Sequence, residues 1–138
     1  MEHYTSGNDK LEVLKPGSDT RREHISDEEN EIFKYKLVHS TPKSGVRYKY
    51  ANKMIDKDYF GIPKIIIGET GLTDNIVIDE EGKFGMTACC FGIKIKDKKE
   101  GEKIKNIFVG KDFQTFIKSA NWGNYRIDWR LFTHVKKF

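Results

Sequence analysis

Residues 60–96 read FGIPKIIIGETGLTDNIVIDEEGKFGMTACCFGIKIK, and apolar runs alternate with glycine turns along the whole stretch. The isoleucine run at 65–67 is β-branched, too short for a helix, and followed by two glycines that permit a sharp turn. Apolar and polar residues alternate at 76–78, the EEGK sequence at 80–83 is typical of a hairpin turn, and residues 84–96 predict a long returning strand. We therefore predict at least three strands here, two of them paired as a hairpin.

The flanking segments predict more sheet on one side and helices on the other. Residues 32–50 alternate apolar and basic side chains around a Ser/Thr/Lys loop, which indicates a hairpin with a basic outer face. After residue 96 the apolar residues recur at three- and four-residue spacing, with Gly110 between two such groups, and Asp128 is a suitable N-cap for a last helix. The fold class we predict is α+β, a curved mixed or antiparallel sheet with short helices packed on one face.

Charge divides the chain into two parts. Residues 1–31 hold 4 Lys and Arg against 9 Asp and Glu, a net charge of −5, and contain a single small apolar cluster among Gly, Pro and charged residues. We expect residues 1–31 to be a flexible acidic arm or linker. Residues 32–138 hold 21 basic against 12 acidic residues, a net charge of +9, and form one domain of ordinary size in this interpretation.

A basic domain attracts polyanions, so nucleic acid is the leading partner, anionic membrane a weaker one, and simple solubility the plain alternative. No stretch approaches the roughly 20 apolar residues of a membrane span, and the start lacks the pattern of a signal peptide. Cys89 and Cys90 are adjacent, so on a strand they point to opposite faces and do not suggest a disulfide. We expect a cytoplasmic, soluble protein without a membrane partner.

No residues in this sequence form a recognisable catalytic, cofactor or metal motif. The four histidines are scattered, and neither a phosphate-binding glycine loop nor an Asn-Pro-Pro motif is present. Asp79, Glu81 and Lys83 have the residue types of a metal-dependent nuclease site, although a charged turn has the same composition. The GETG sequence at 68–71 fits either a structural turn or the GxxG loop with which some RNA-binding domains hold phosphates.

Candidate nucleic-acid contacts come from three regions. These are the first hairpin at 32–50, the central turn that contains Thr70 and Thr73, and the C-terminal segment. If residues from Asp128 onward are helical, Trp129 and Phe132 face one side and basic residues another. The aromatic stripe has an alternative role, as a surface for a partner protein. The residues that we predict to contact phosphates or bases are Lys43, Arg47, Lys49, Thr70, Thr73, Arg126 and Arg130.

Four segments, in order, resemble the target-recognition (specificity) region of restriction-modification adenine-N6 DNA methyltransferases, the large single-chain type in which this region follows the methylase domain. The segments are LVHSTPKSGVRY at 37–48, FGIPKII at 60–66, GKFGMT at 82–87 and RIDWRLF at 126–132. The resemblance extends over about residues 32–138.

In that family the methylase half holds S-adenosylmethionine and the flipped adenine, whereas the specificity half grips the duplex and reads its sequence. This chain resembles only the second half. The resemblance therefore implies double-stranded DNA as the partner, a separate methylase domain or subunit as the holder of S-adenosylmethionine, and no catalysis by this chain alone. A small metal-dependent nuclease and a protein-interaction domain without nucleic acid stay as alternatives.

Overall fold

The computed structural model describes residues 9–120 and 127–137, and these form an α+β fold, as predicted. Its strands are β1 Val13–Leu14, β2 Ile25–Ser26, β3 Tyr35–Ser40, β4 Arg47–Ala51, β5 Lys64–Gly68, β6 Val77–Asp79, β7 Gly85–Met86 and β8 Cys90–Lys94. Its helices are α1 Lys98–Val109 and α2 Lys111–Ala120, with 3-10 helices at Asp56–Asp58 and Trp129–His134.

The strands form two four-stranded sheets. The first has the order β1-β8-β5-β6, and all its neighbours are antiparallel. The second has the order β2-β4-β3-β7, in which β3 and β4 form the predicted basic hairpin and the short β7 lies parallel to β3. The expectation of a mixed or antiparallel arrangement with helices packed on a sheet is confirmed.

The isoleucine run in β5 is buried on both faces, which explains why it is continuous rather than alternating. Ile65 and Ile67 belong to the large core that the helices share, whereas Ile66 packs with Val38 and Met86 of the second sheet. Successive strand residues point to opposite faces, so the first sheet is the middle of three layers. The helices cover one side of it and the second sheet covers the other.

The two predicted amphipathic helices are present and separate at Gly110. Asp97 caps α1 by accepting a hydrogen bond from the Glu100 amide at 2.8 Å. The last segment is a 3-10 helix rather than an α-helix, and the Asp128 carboxylate caps it by accepting from the Arg130 amide at 2.9 Å. None of the helices in the described ranges has the length and apolar character needed to span a bilayer.

The prediction of a long strand over 84–96, paired as a hairpin through the turn at 80–83, is wrong. That turn carries the chain from the first sheet to the second, because β6 pairs with β5 whereas β7 pairs with β3. A turn then follows β7, in which the Cys90 amide donates to the Thr87 carbonyl, and β8 returns to the first sheet. The apolar pattern suits either arrangement, since both strands are buried.

The expected flexible arm differs from the structure at residues 9–31, which are part of the fold. Val13–Leu14 adds a strand to the edge of the first sheet beside β8, and Ile25–Ser26 adds one to the second sheet beside β4. Leu11 is 6% exposed and lies in the large core. Two-residue strands within a mostly charged segment give little local signal, but the edges of both sheets supply their hydrogen-bond partners. Residues 1–8 lie outside the described residues.

Candidate nucleic-acid interface

The loop of the first hairpin and the central turn are fastened to each other by hydrogen bonds. The Gly68 amide donates to Thr41 Oγ1 at 2.9 Å, the Thr73 hydroxyl donates to the Thr41 carbonyl at 2.5 Å, and Asn75 Nδ2 donates to the Pro42 carbonyl at 2.7 Å. Gly68 must be a glycine here, because a Cβ would lie 2.9 Å from the Thr41 nitrogen. Two regions predicted separately from the sequence therefore form one surface.

A cleft of about 470 Å³ opens at this junction. It contains two of the predicted contact residues, Lys43 and Thr73, and its floor reaches the helical layer. There Gln114 of α2 donates through Nε2 to the carbonyls of Leu72 and Val109, both at 3.1 Å. The residues that line the cleft are Lys43, Leu72, Thr73, Asp74, Asn75, Val109 and Gln114.

The three predicted cations of the hairpin have different surroundings. Lys43 and Arg47 are exposed, and within the described part of the chain neither forms an ion pair. The Lys49 side chain is only 23% exposed and pairs with the Asp27 carboxylate, and this contact lowers the pKa of Asp27. Lys43 and Arg47 are thus available to an external anion, whereas Lys49 already has a partner from the N-terminal segment.

His39, which we did not single out from the sequence, lies close to these cations on β3. Its Nδ1 is 3.0 Å from Thr87 Oγ1. Burial, followed by the positive charge of Lys49, lowers the pKa of His39, with Arg47 adding to this and Asp27 opposing it. The imidazole therefore lies in a locally positive field. A single histidine in an alternating strand gives no sequence signal for such a position.

The C-terminal segment begins beside the central turn, where the Ile127 amide donates to the Glu69 carbonyl at 2.6 Å. The Arg130 side chain is 73% exposed and makes a two-point contact with Asp128, from Nε at 3.0 Å and from Nη2 at 2.8 Å. This contact raises the pKa of Arg130 and lowers that of Asp128. Thr70 is exposed in the central turn. Arg126 lies outside the described residues.

The aromatic stripe proposed as a partner-protein surface belongs to the core instead. Phe132 is fully buried, with its ring centroid 4.9 Å from that of Phe91 and 5.2 Å from that of Phe108. Trp129 is half-buried against the same cluster. The periodic spacing of these residues was a signal of packing.

The residues proposed for a nuclease site make ion pairs and hydrogen bonds within the protein instead. Lys64 Nζ lies 2.8 Å from Asp79 Oδ2, and both side chains are buried. Asp79 further accepts hydrogen bonds from the amides of Lys83 at 2.8 Å and Phe84 at 2.9 Å, while the Lys83 ammonium pairs with Glu81 at 3.3 Å. Burial lowers the pKa of Lys64, and the Asp79 carboxylate opposes that shift. The carboxylate of Asp79 thus holds the turn at 80–83 in place.

No three His, Cys, Asp or Glu side chains in residues 9–120 and 127–137 are grouped so as to hold a metal ion. Comparison of the chain with family models, with curated proteins and with solved structures gave no match.

Proposed function

We propose that this chain binds double-stranded DNA in a sequence-specific way, as the target-recognition module of a restriction-modification adenine methyltransferase. The methyl donor and the catalytic residues belong in this proposal to a separate methylase domain or subunit. The observation that carries the proposal is the hydrogen-bonded junction of the hairpin loop and the central turn. Beside it Lys43 and Arg47 are exposed, with no ion-pair partner among the residues that the structure describes.

Phosphate contact is the role that these two cations fit. A cation that displaces counterions from the duplex gives sequence-independent affinity, and its contribution weakens as salt rises. Arg47 lies on β4, and Lys43 lies in a loop that Thr41 and Pro42 tie to the central turn, so little backbone mobility is lost when they bind. Lys49 is a weaker candidate because Asp27 already neutralises it.

Base reading is assigned to side chains that are held in a fixed orientation. Asp128 accepts from Nε and Nη2 of Arg130, so the guanidinium is oriented, and no partner of Nη1 lies within residues 9–120 and 127–137. In this proposal the Nη1 donors contact a base edge. Thr70 stands exposed in the central turn, and Thr73 contributes by fixing the cleft. The resemblance to specificity regions over residues 32–138 supports duplex DNA over the other polyanions that a basic surface attracts.

A salt titration of binding to a random duplex of about 20 base pairs tests the phosphate assignment. We expect K43A/R47A to bind all duplexes more weakly and to lower the slope of log affinity against log salt by about 2, one for each lost contact. The matched control is K99A/K103A, which removes two exposed lysines from the first half of α1, in the helical layer rather than in the second sheet. Equal slopes for both variants would exclude the hairpin from the DNA interface. If the unaltered chain failed to bind duplex at low salt, DNA would be excluded as the ligand.

A further inference from the structure

A second cleft, of about 640 Å³, lies at the other end of β4 from the hairpin loop. The N-terminal segment forms one wall, and the residues just after β4 form the other. The residues that line it are Arg21, Arg22, Glu23, His24, Asn52 and Lys53.

Backbone hydrogen bonds give this cleft a fixed shape. The Asn52 amide donates to the His24 carbonyl at 2.9 Å, next to the pairing of β2 with β4. Within the N-terminal wall, the Arg22 amide donates to the Asp19 carbonyl, and the Arg22 carbonyl accepts from the Ile25 amide, both at 3.1 Å. The walls are therefore held together before any ligand enters.

Three cations line this cleft, and two of them are available to a ligand. The third, Arg21, is engaged by Asp19 in a two-point contact, from Nη2 at 2.6 Å and from Nε at 3.1 Å. Arg22 and Lys53 are exposed, and neither takes part in an ion pair within the residues that the structure describes.

The acidic groups near the cleft are few. Glu23 is the acidic side chain in the lining, and it is exposed. Asp58 is buried outside the lining, where it accepts from the Ser18 amide at 2.8 Å and lies 3.5 Å from His24 Nε2. Asp19 also lies beside the cleft, where it pairs with Arg21 and where the charge of Arg22 helps to lower its pKa. Arg21, Arg22 and Lys53 thus outnumber the carboxylates of Glu23 and Asp19 by three to two.

We infer that this second cleft binds a backbone phosphate of duplex DNA, with Arg22 and Lys53 as its cations. The inference rests on the proposed function and extends it to Arg22, which lies in the segment that had been expected to form a flexible acidic arm. β4 runs from Arg47 to Ala51, a backbone length of about 13 Å at 3.3 Å per residue, and the two pairs of cations lie at its opposite ends. Sites at the two ends of one strand suit two different phosphates of the same duplex, because a duplex carries one phosphate charge per about 1.7 Å of its axis.

The test compares R22A/K53A with K43A/R47A, the control K99A/K103A and the unaltered chain in the same duplex salt titration. Both altered residues are exposed, so we expect R22A/K53A to unfold at the same temperature as the unaltered chain. We expect its salt slope to fall by about 2, with equal proportional losses on every duplex sequence.

The possible failures are distinguishable. If the unaltered chain binds duplex and K43A/R47A lowers the slope while R22A/K53A behaves like the control, the second phosphate site is refuted and the proposed function stands. If the unaltered chain binds no duplex at low salt, the proposed function and the second site both fail. A larger loss on one duplex sequence than on others would assign Arg22 or Lys53 to base reading and overturn the phosphate assignment.

Discussion

Lys64 is among the largest side chains that are completely buried in the described ranges, and it comes directly before the isoleucine run. Its ammonium donates to Asp79 at 2.8 Å and to the carbonyls of Ile62 and Phe84 at 3.2 and 2.6 Å. A charge at this depth is tolerated because all these contacts compensate for lost hydration. Lys64 thereby ties β5 to the turn that carries the chain into the second sheet.

Replacing Lys64 with Met should lower the free energy of unfolding by about 3–5 kcal/mol, because the Asp79 carboxylate would stay buried without its counter-ion. Denaturant unfolding measures this loss. The double variant K64M/D79N should lose less than the sum of the two single variants, since neither charge is then left alone. Strictly additive losses would contradict the coupling of the pair.

His39 should make stability depend on pH. Its pKa is lowered in the folded chain, so between that pKa and the unfolded value of about 6.5 the unfolded chain binds more protons. Stability should therefore rise with pH through that window and be lost as pH falls through it. Urea unfolding at pH 5 to 7.5 should show a shallower pH dependence for His39→Gln than for the unaltered chain. An unchanged dependence would show that His39 does not cause it.

The sequence predicts the exposed cations better than the buried polar groups. Lys43 and Arg47 lie in a hairpin whose alternation is clear, so their exposure follows from the pattern. Lys64 and Asp79 are also charged residues near turns, but they lie 15 residues apart in the sequence and meet only when β5 pairs with β6. Composition cannot separate such a pair from the solvated charges that it resembles.

Substitutions before residue 32 show whether the N-terminal strands contribute to the stability of the fold. Leu11→Ala should cost about 2–5 kcal/mol in unfolding free energy, since Leu11 lies in the core, whereas the exposed neighbour Glu12→Ala should cost less than about 0.5 kcal/mol. Thermal or urea unfolding provides the comparison. Small and equal losses of unfolding free energy in the two variants would support the flexible arm that the composition predicts.

The fastening of the hairpin loop to the central turn gives a second prediction of this kind. Thr73→Val should lower the free energy of unfolding by about 1–2 kcal/mol, because the Thr41 carbonyl loses its donor and the Asn75 amide loses its acceptor. Amide exchange should quicken near residue 41. Thr115→Val is the matched control, since the Thr115 hydroxyl donates to the Lys111 carbonyl on the exposed face of its own helix. Unchanged exchange in T73V would mean that the two loops are held together by other contacts.

Elements with local periodicity could be predicted, and elements defined by distant pairing could not. The break at Gly110 follows from the apolar spacing on either side of it. The assignment of residues 85–86 to the second sheet depends on parallel pairing with β3, almost 50 residues earlier in the chain. An alternating pattern specifies which face of a strand is buried, but not the sheet to which the strand belongs.

At the scale of the whole molecule, the acidic and basic parts of the chain interlock rather than lie apart. Asp27 pairs with Lys49, and Glu12 lies 3.9 Å from Lys94. The net charge of +9 over residues 32–138 is therefore partly offset where the N-terminal strands join the sheets. The cations that we propose to contact phosphates are grouped at the two ends of β4, so their position is more informative than the total charge.

Selection from a randomised duplex pool is the most direct test of sequence-specific binding. The purified chain is mixed with the pool at about physiological salt, and the retained duplexes are sequenced. We predict enrichment of one short sequence, bound at least about 10³-fold more tightly than a scrambled duplex. A retained pool as random as the starting pool, or no retained duplex, would contradict the account.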